Sequence, residues 1–326
     1  MTTDSLRIAS RESPLAMVQS EWTAAQLRSF HMGLNVTIIG MTTRGDQILD
    51  KPLAQIGGKG LFIKELEVAI EQGRADIAVH SMKDVPMVLP TGFALATVGQ
   101  REDIRDAFVS SRYASLDELP AGAIVGTSSL RRESQIRHFH PGLNIAPLRG
   151  NVNTRLRKLD EGEFDAVILA AAGLKRLGFG ERIRATLDTG RYIPALGQGA
   201  LGIEYASLRT DVAQRLAPLV NTATNAMVDA ERAFGRRLSA SCDVPLGATA
   251  TVEGDRLSIS GFVATPDGIQ RVAAVETGAL ADADAIGVAL AERLLAAGAD
   301  KILADLLARA AHSLAPPVIA PPTRID

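Results

Sequence analysis

Apolar and polar residues alternate along the first part of the chain in a way that predicts strands joined by amphipathic helices. Leu6–Ser10 has the pattern of a short buried strand. Ser13 and Pro14 then predict the start of a helix, because serine accepts hydrogen bonds from the first helical N–H groups and proline fits the first helical position. A strand at Val36–Thr43, a helix over Phe62–Gln72 and a strand at Ala75–Met82 follow. Strands that alternate with helices indicate parallel sheets with helices on their faces.

The alternation starts again near residue 123, which predicts a second α/β lobe. We expect the chain to pass from the first lobe to the second near Gly99–Arg105 and to return near Pro194–Gly199. Strands are predicted at Ala123–Gly126, Leu143–Leu148 and Ala166–Ala170, with helices from Leu130 and from about Val152.

The last third of the chain has a different pattern. A helix over Thr222–Leu238 precedes three alternating segments that are separated by turn signals at Glu253–Asp255 and Pro266–Gly268, so a small antiparallel sheet is predicted. Alanine-rich helices from about Asp282 and Asp300 are expected to cover one face of it. The predicted organisation is lobe 1 at 1–99 and 200–218, a basic lobe 2 at 100–199, a C-terminal α+β domain at 219–315, and a disordered proline-rich tail at 316–326.

Composition excludes several classes of protein. The 326 residues include 35 Lys+Arg against 37 Asp+Glu, so the net charge of −2 gives no overall field for nucleic acid or an anionic membrane. A single cysteine excludes an internal disulfide and a cysteine-cluster metal site. The first ten residues lack the basic and apolar regions of a secretory signal, and the apolar stretch Phe164–Leu174 is too short to span a membrane. We therefore expect a cytoplasmic protein with a reduced thiol.

Positive charge is concentrated in the middle of the chain. Ala123–Arg184 contains nine Arg and two Lys against six Asp+Glu. Arg131 and Arg132 fall in the first turn of a predicted helix, where the N–H groups already favour anions, so a bound anion would explain them. The alternative is a set of solvated surface arginines. Because similar strand-to-helix junctions also carry Arg149, Arg155 and the pair Arg11 and Ser13, we favour an anion-binding cleft between the lobes.

Asp84 and Lys83 follow a predicted strand, at the edge of the sheet where open α/β folds bind ligands. Asp84 could protonate a leaving amine or stabilise a developing cation, and Lys83 could hold a substrate anion. The alternative is an exposed loop in which the aspartate only caps a turn. From position alone, this alternative is narrowly favoured.

Four other features have ordinary explanations. Cys242, the only thiol, follows a predicted helix that ends in Arg236 and Arg237. The charge of these arginines could lower the pKa of the thiol. A lone cysteine is, however, more often an inert residue that only fills space. Gly197–Gly202 matches a dinucleotide-binding pattern, but a strand rather than a helix is predicted after it. His138 and His140 lack a convincing third ligand, so no metal site is expected. Gly57–Gly60 lacks the spacing of a P-loop and predicts a mobile loop that carries Lys59.

Taken together, these segments resemble the porphobilinogen deaminase family, also called hydroxymethylbilane synthase, over nearly the whole chain. The order and length of the matching runs make the resemblance specific. The runs are Ile8–Ala16, Gly57–Phe62 with Lys64-Glu65, His80–Pro86, Gly126–Arg132, Leu148–Arg155, Pro194–Gly199, Glu231–Phe234 and Cys242–Pro245.

The resemblance implies a cytoplasmic, monomeric transferase that joins four porphobilinogen molecules head to tail, releases ammonia and then frees the linear tetrapyrrole by hydrolysis. It implies that Asp84 is the catalytic carboxylate and that Cys242 carries a dipyrromethane cofactor through a thioether bond. The positions that match cofactor-binding residues are Lys83, Thr127, Ser128, Ser129, Arg131, Arg132 and Arg155, and those that match substrate-binding residues are Arg11, Ser13, Lys59, Phe62, Arg149 and Arg176.

The fold class expected is α/β, with two periplasmic-binding-protein-like lobes and a small α+β C-terminal domain that has a three-stranded antiparallel sheet. Two alternative functions share parts of this picture. A periplasmic-type anion receptor would have two lobes and a basic cleft but would usually be exported. A nucleic-acid binder would use the basic stretch. The aromatic content of only 4% weakens this alternative.

Overall fold

The structure is a computed structural model that describes residues 4–47, 63–240 and 244–314. It contains two five-stranded sheets and one three-stranded antiparallel sheet. The predicted fold class, two α/β lobes with a small α+β C-terminal domain, is confirmed. In the described residues no helix is long and apolar enough to cross a membrane.

The first sheet has the strand order β2-β1-β3-β10-β4 and helices on both faces. Its helix α1 begins as predicted, because Ser13 Oγ accepts a hydrogen bond from the N–H of Ala16 at 3.4 Å and Pro14 occupies the first turn. Leu27 of α1 and Leu66 of α3 are buried in separate clusters of apolar side chains against the sheet. The elements of this part are β1 (Ser5–Arg11), α1 (Pro14–Phe30), β2 (Asn35–Met41), α2 (Arg44–Gln47), α3 (Lys64–Glu71), β3 (Ile77–Ser81), β4 (Phe93–Val98), β10 (Leu201–Ala206) and α7 (Thr210–Leu216).

The second sheet has the strand order β7-β6-β8-β5-β9 and an apolar core of its own, in which Phe108 is fully buried. Its elements are β5 (Asp106–Val109), β6 (Ile124–Gly126), α4 (Leu130–Phe139), β7 (Asn144–Ala146), α5 (Val152–Asp160), β8 (Ala166–Ala170), α6 (Ala171–Arg176) and β9 (Ala185–Thr186).

The prediction of parallel sheets holds for part of each large sheet, since β1 pairs in parallel with β2 and β3, and β6 with β7 and β8. Strand β10 runs antiparallel to β3 and β4, and β5 runs antiparallel to β8 and β9. Both strands directly follow a connection between the two sheets, so no helical crossover fixes their direction. Strands β4 and β5 were not predicted, since runs of four to six residues have no distinctive period when they are largely apolar.

The two connections between the sheets lie side by side. The N–H of Glu102 donates to the carbonyl oxygen of Gly199 at 3.2 Å. Gly199 has a φ of +89°, and a Cβ atom there would lie 2.3 Å from the carbonyl oxygen of Glu102. Only glycine fits this close approach, which holds the base of the cleft between the sheets.

The C-terminal part packs helices against an antiparallel sheet in the order β11-β12-β13. The predicted turn signals lie between its strands, with Gly254 and Gly268 at positive φ. Phe234, Ile259 and Leu290 are fully buried between helix and sheet. The elements are α8 (Thr222–Arg237), β11 (Leu246–Glu253), β12 (Arg256–Ala264), β13 (Arg271–Ala279), α9 (Ala283–Leu294) and α10 (Asp300–Leu314).

We propose that each sheet forms the core of a separate domain with the boundaries predicted from the sequence. The tail at 316–326 lies outside the described residues.

Candidate active site

Asp84 lies at the end of a short 3₁₀ turn that follows strand β3. The turn spans Met82–Asp84, and the side chains of Met82 and Val85 are buried at 1% exposure each. These two apolar anchors hold the turn against the first sheet, while Asp84 between them is exposed. A strand that ends in this way delivers a carboxylate to the edge of the sheet, as the sequence predicted.

A cavity of about 540 Å³ lies between the two large sheets, and both contribute to its walls. The volume is that of a small-molecule site. A second cavity of about 50 Å³ shares Arg11, Ser13 and Asp84 with it. The charged side chains lining the larger cavity are the cations Arg11, Lys83, Arg132, Arg149, Arg155 and Arg176 and the carboxylates Glu12, Asp46 and Asp84.

The structure therefore brings many of the predicted site residues to one place. Those that line the larger cavity are Arg11, Ser13, Lys83, Asp84, Arg132, Arg149, Arg155 and Arg176. Lys59, Phe62 and Cys242, and with them the predicted loop at 57–60, lie outside the described residues.

Arg131 and Arg132 pair with a buried carboxylate of the protein itself. Asp106, at the start of β5, accepts from Arg131 Nη1 at 2.8 Å and from Arg132 Nη2 at 2.8 Å. Burial alone would raise the pKa of Asp106, but the two guanidinium groups hold it well below its usual range. The sequence analysis considered a bound anion or solvated surface positions for these arginines, and favoured the bound anion. The structure corrects this, because an internal anion meets both of them.

Gln198 connects this ion pair to the turn that carries Asp84. Its Nε2 atom donates to Asp106 Oδ1 at 2.9 Å and to the carbonyl oxygen of Ile104 at 2.8 Å. Its Oε1 atom accepts from Lys83 Nζ at 3.3 Å. Burial and the nearby charge of Arg132 lower the pKa of Lys83 to about 8, with Asp84 acting in the opposite direction. One amide thus orients the lysine next to Asp84.

Positive charge in the cleft exceeds what the protein's own carboxylates neutralise. Burial, followed by repulsion from Arg132 and Arg149, lowers the pKa of Arg155 to about 10. Burial also lowers the pKa of Arg176, whose Nη2 donates to the carbonyl oxygen of Gly199 at 2.7 Å. The Nε atom of Arg131 is buried and has no hydrogen-bond partner in the described part of the chain. This arrangement suits a small ligand with several carboxylates.

Arg11 has a carboxylate partner that the sequence analysis missed. Its Nε atom donates to Asp46 Oδ2 at 3.1 Å, and Thr43 Oγ1 donates to the same oxygen at 2.7 Å. Burial would raise the pKa of Asp46, but the hydrogen bonds from Arg11 and Thr43 lower it below its usual value. Asp46 therefore remains charged and orients Arg11 at the cavity wall.

Thr127, Ser128 and Ser129 do not line the larger cavity. Thr127 is buried and accepts from the N–H of Ser129 at 3.2 Å. Ser128 Oγ both donates to the carbonyl oxygen of Leu148 and accepts from its N–H, each at 3.0 Å. Ser129 caps α4. In this structure the three hydroxyl groups shape the turn that presents Arg131 and Arg132.

Several secondary features also have structural explanations. Arg236 pairs with Asp284 at 3.2 Å and Arg237 with Glu292 at 2.6 Å. Cys242, on whose thiol these arginines were predicted to act, lies outside the described residues. His138 Nδ1 lies 2.8 Å from the carbonyl oxygen of Gly268, and His140 Nε2 lies 2.6 Å from Tyr192 Oη. The strand predicted after the glycine pattern at 197–202 is confirmed as β10.

Asp106, Gln198 and Asp46 are the site residues that sequence reasoning did not identify. The only sequence signal for Gln198 was its place in Pro194–Gly199, one of the runs that carry the family resemblance. Asp106 and Asp46 sit in short segments without a motif, and only their partners in space give them a role.

Comparison with known proteins identifies strong similarities. Residues 6–215 match the family model of the porphobilinogen deaminase, dipyromethane cofactor binding domain, and residues 226–296 match that of the porphobilinogen deaminase, C-terminal domain. The porphobilinogen deaminase of Laribacter hongkongensis is 61% identical over 91% of this chain and 96% of its own length. That of Thiobacillus denitrificans is 60% identical over 91% of this chain and 97% of its own. Among solved structures, a periplasmic substrate-binding protein from Coxiella burnetii matches 66% of this chain and 91% of its own at 14% identity and a TM-score of 0.43.

Replacing the buried carboxylate tests the ion pair that supports the site. Asp106→Asn keeps the shape but leaves two buried guanidinium groups uncompensated, so we expect the free energy of unfolding to fall by about 3–5 kcal/mol. Chemical denaturation measures the change. Asp160→Asn is the matched control, because Asp160 pairs with Arg182 at the surface and should change stability by about 1 kcal/mol or less. Equal effects of the two substitutions would contradict the assignment.

Proposed function

The chain belongs to the porphobilinogen deaminase family, and from this premise we propose how its own residues perform the family's reaction. The protein is a hydroxymethylbilane synthase, a transferase of tetrapyrrole biosynthesis. It condenses four porphobilinogen molecules stepwise on a dipyrromethane cofactor with release of ammonia, and hydrolysis then releases hydroxymethylbilane.

The charges of the cleft fit a dipyrromethane group. Each pyrrole ring of the group carries an acetate and a propionate, whereas the larger cavity is lined by six cations and three carboxylates. The buried Nε atom of Arg131 offers a further donor. When bound, the cofactor supplies the free α-carbon to which the first ring is joined. The residues we propose to hold it are Lys83, Arg131, Arg132 and Arg155, with Thr127, Ser128 and Ser129 shaping the turn beneath them.

We assign the covalent attachment to Cys242, which is the only cysteine of the chain. It follows α8 and precedes β11 in the C-terminal part. A thioether at this position would make the cysteine a tether rather than a nucleophile used in each turnover, so activation of the thiolate is needed only when the cofactor is assembled.

The substrate carboxylates are proposed to meet the remaining cations of the cleft. Because every added ring brings two more carboxylates, the chain under construction needs compensating charge along its path. Arg11 and Ser13 lie on the wall formed by the first sheet, and Arg149 and Arg176 lie on the wall formed by the second. Lys59 and Phe62 are assigned to the same task from the sequence alone.

Asp84 is the group we assign to the bond-breaking step. The carbon–nitrogen bond of the aminomethyl group breaks and ammonia leaves. Positive charge then develops on the pyrrole, and the surrounding arginines would repel this charge. Of the three carboxylates at the larger cavity, Asp46 is bound by Arg11 and Thr43, and Glu12 accepts a hydrogen bond from Thr42.

Asp84 alone of these three has no hydrogen bond to the described residues, and this observation carries the proposal. Its charge therefore remains available to the leaving amine and to the developing cation. The anion-receptor alternative gives no role to this carboxylate or to Cys242.

We further propose that the protein acts as a monomer in the cytoplasm. The residues that line the larger cavity come from both large sheets of a single chain, which supports this proposal. The single cysteine of the chain can form no internal disulfide, which suits a reducing compartment.

The cofactor assignment is tested by intact-protein mass spectrometry. The purified protein should exceed its translated mass by one dipyrromethane unit, and Cys242→Ser should lack that increment because it has no thiolate to form the thioether. An active protein with an unmodified mass would contradict the assignment.

The role of Asp84 is tested with Asp84→Asn, which preserves size and removes the charge. We expect kcat for porphobilinogen consumption to fall by about 10²-fold or more, because the developing cation loses its counter-charge. The cofactor increment in the mass spectrum and the melting temperature should be retained. Asp160→Asn serves as the surface control, and near-normal turnover by Asp84→Asn would remove the assigned role.

The pKa of Lys83 predicts a pH dependence of cofactor assembly. A pKa lowered to about 8 means that the ammonium group is charged below this pH and neutral above it, so binding of carboxylates should weaken as the pH rises through 8. The measurement is the rate at which cofactor-free protein gains the mass increment when given porphobilinogen. In Lys83→Arg this alkaline decline should disappear, because arginine stays charged. Identical pH profiles would exclude Lys83 as its cause.

A further inference from the structure

Arg232 joins helix α8 of the C-terminal part to the turn that carries Asp84. Its Nη2 atom donates to the carbonyl oxygen of Pro86 at 2.7 Å and to that of Met87 at 3.1 Å. Its Nη1 atom lies 4.0 Å from the sulfur of Met82. The guanidinium group therefore contacts the chain on both sides of Asp84.

The position of Arg232 is unfavourable for a charged group. Its side chain is 7% exposed, and its hydrogen bonds in the described residues go to neutral acceptors rather than to a carboxylate. Burial, followed by repulsion from Arg236, lowers its pKa to about 10, with partial compensation from Asp229 and Glu204. A buried methionine or leucine would avoid this penalty. The guanidinium group thus provides hydrogen bonds to the turn that an apolar side chain could not provide.

The neighbouring residues of α8 fit the same turn closely. A Cβ atom on Gly235 would lie 2.6 Å from the sulfur of Met87, so the glycine leaves the space that this side chain fills. Glu231 accepts from Arg101 Nη1 at 2.7 Å and from the N–H of Gly197 at 2.6 Å. Helix α8 is therefore fixed both to the catalytic turn and to the connections between the two large sheets.

We propose that Arg232 is a positioning residue, which fixes the turn at 82–87 so that the carboxylate of Asp84 occupies the same place for every ring that is added. Asp84 has no hydrogen bond of its own to the described residues, so the backbone of its turn determines where it lies. The inference rests on the proposed role of Asp84. Along the sequence, the same helix precedes the segment that contains Cys242.

The test compares Arg232→Met and Arg232→Lys in the cofactor-loaded protein. We expect Arg232→Met to lower kcat by about 10–100-fold with KM within about twofold, since a small displacement of a catalytic group reduces the rate without changing the binding of substrate carboxylates. Arg232→Lys should recover part of kcat, because its ammonium group still reaches a carbonyl oxygen. Arg237→Met is the matched control, as Arg237 lies on the same helix in an exposed pair with Glu292.

Intact-mass measurements during turnover add a readout beyond overall activity. A displaced Asp84 should slow each successive addition by the same factor, because the same carboxylate serves every step. Gly235→Ala is a second variant, which pushes on Met87 without removing the guanidinium group, and we expect it to lower kcat in the same way.

Three results would overturn the inference: an unchanged kcat in Arg232→Met, a rise in KM alone, or a loss of activity that only follows a loss of cofactor loading or folded protein. Asp84→Asn measured in parallel separates the two proposals. If Asp84→Asn stays active, the proposed role of Asp84 fails. If it is inactive while Arg232→Met is normal, only the positioning role fails.

Discussion

The ion pair between Asp106 and the two arginines of α4 supports the charge distribution of the cleft. A single buried carboxylate, 1% exposed, holds Arg131 and Arg132 in fixed positions, and Gln198 extends the network to Lys83. One negative charge cannot neutralise three cations, so the network keeps a local positive excess that is ordered before any ligand binds. Such preorganised charge binds anionic groups without a further cost of rearrangement.

That excess explains why an almost neutral chain can act on a strongly anionic oligomer. Six cations line the walls of one cavity, while arginines at the surface form ion pairs such as that of Arg182 with Asp160. It also fits the role proposed for Asp84. A cationic reacting group is unfavourable among arginines, and we propose that this carboxylate, which has no hydrogen bond to the described residues, offsets that repulsion.

Helix α8 links the separate parts of the molecule. Through Glu231 it binds the connections between the large sheets, and through Arg232 it binds the catalytic turn. The C-terminal part is therefore a support for the chemistry as well as the region that contains Cys242. Its close fit depends on Gly235, which leaves the space that the side chain of Met87 fills.

The sequence by itself determined most of the elements, though not β4 and β5, and most of the charged groups of the site, because strand endings, helix caps and clustered arginines are local patterns. Ser13 as a cap and Asp84 at a strand end were identified in this way. Only the tertiary structure decided the antiparallel direction of β5 and β10, the pairing of Asp106 with Arg131 and Arg132, and the contact of Arg232 with Pro86. These features join residues that lie 25 to 146 positions apart, and spacing along the chain carries no information about which carboxylate or carbonyl will meet which guanidinium group.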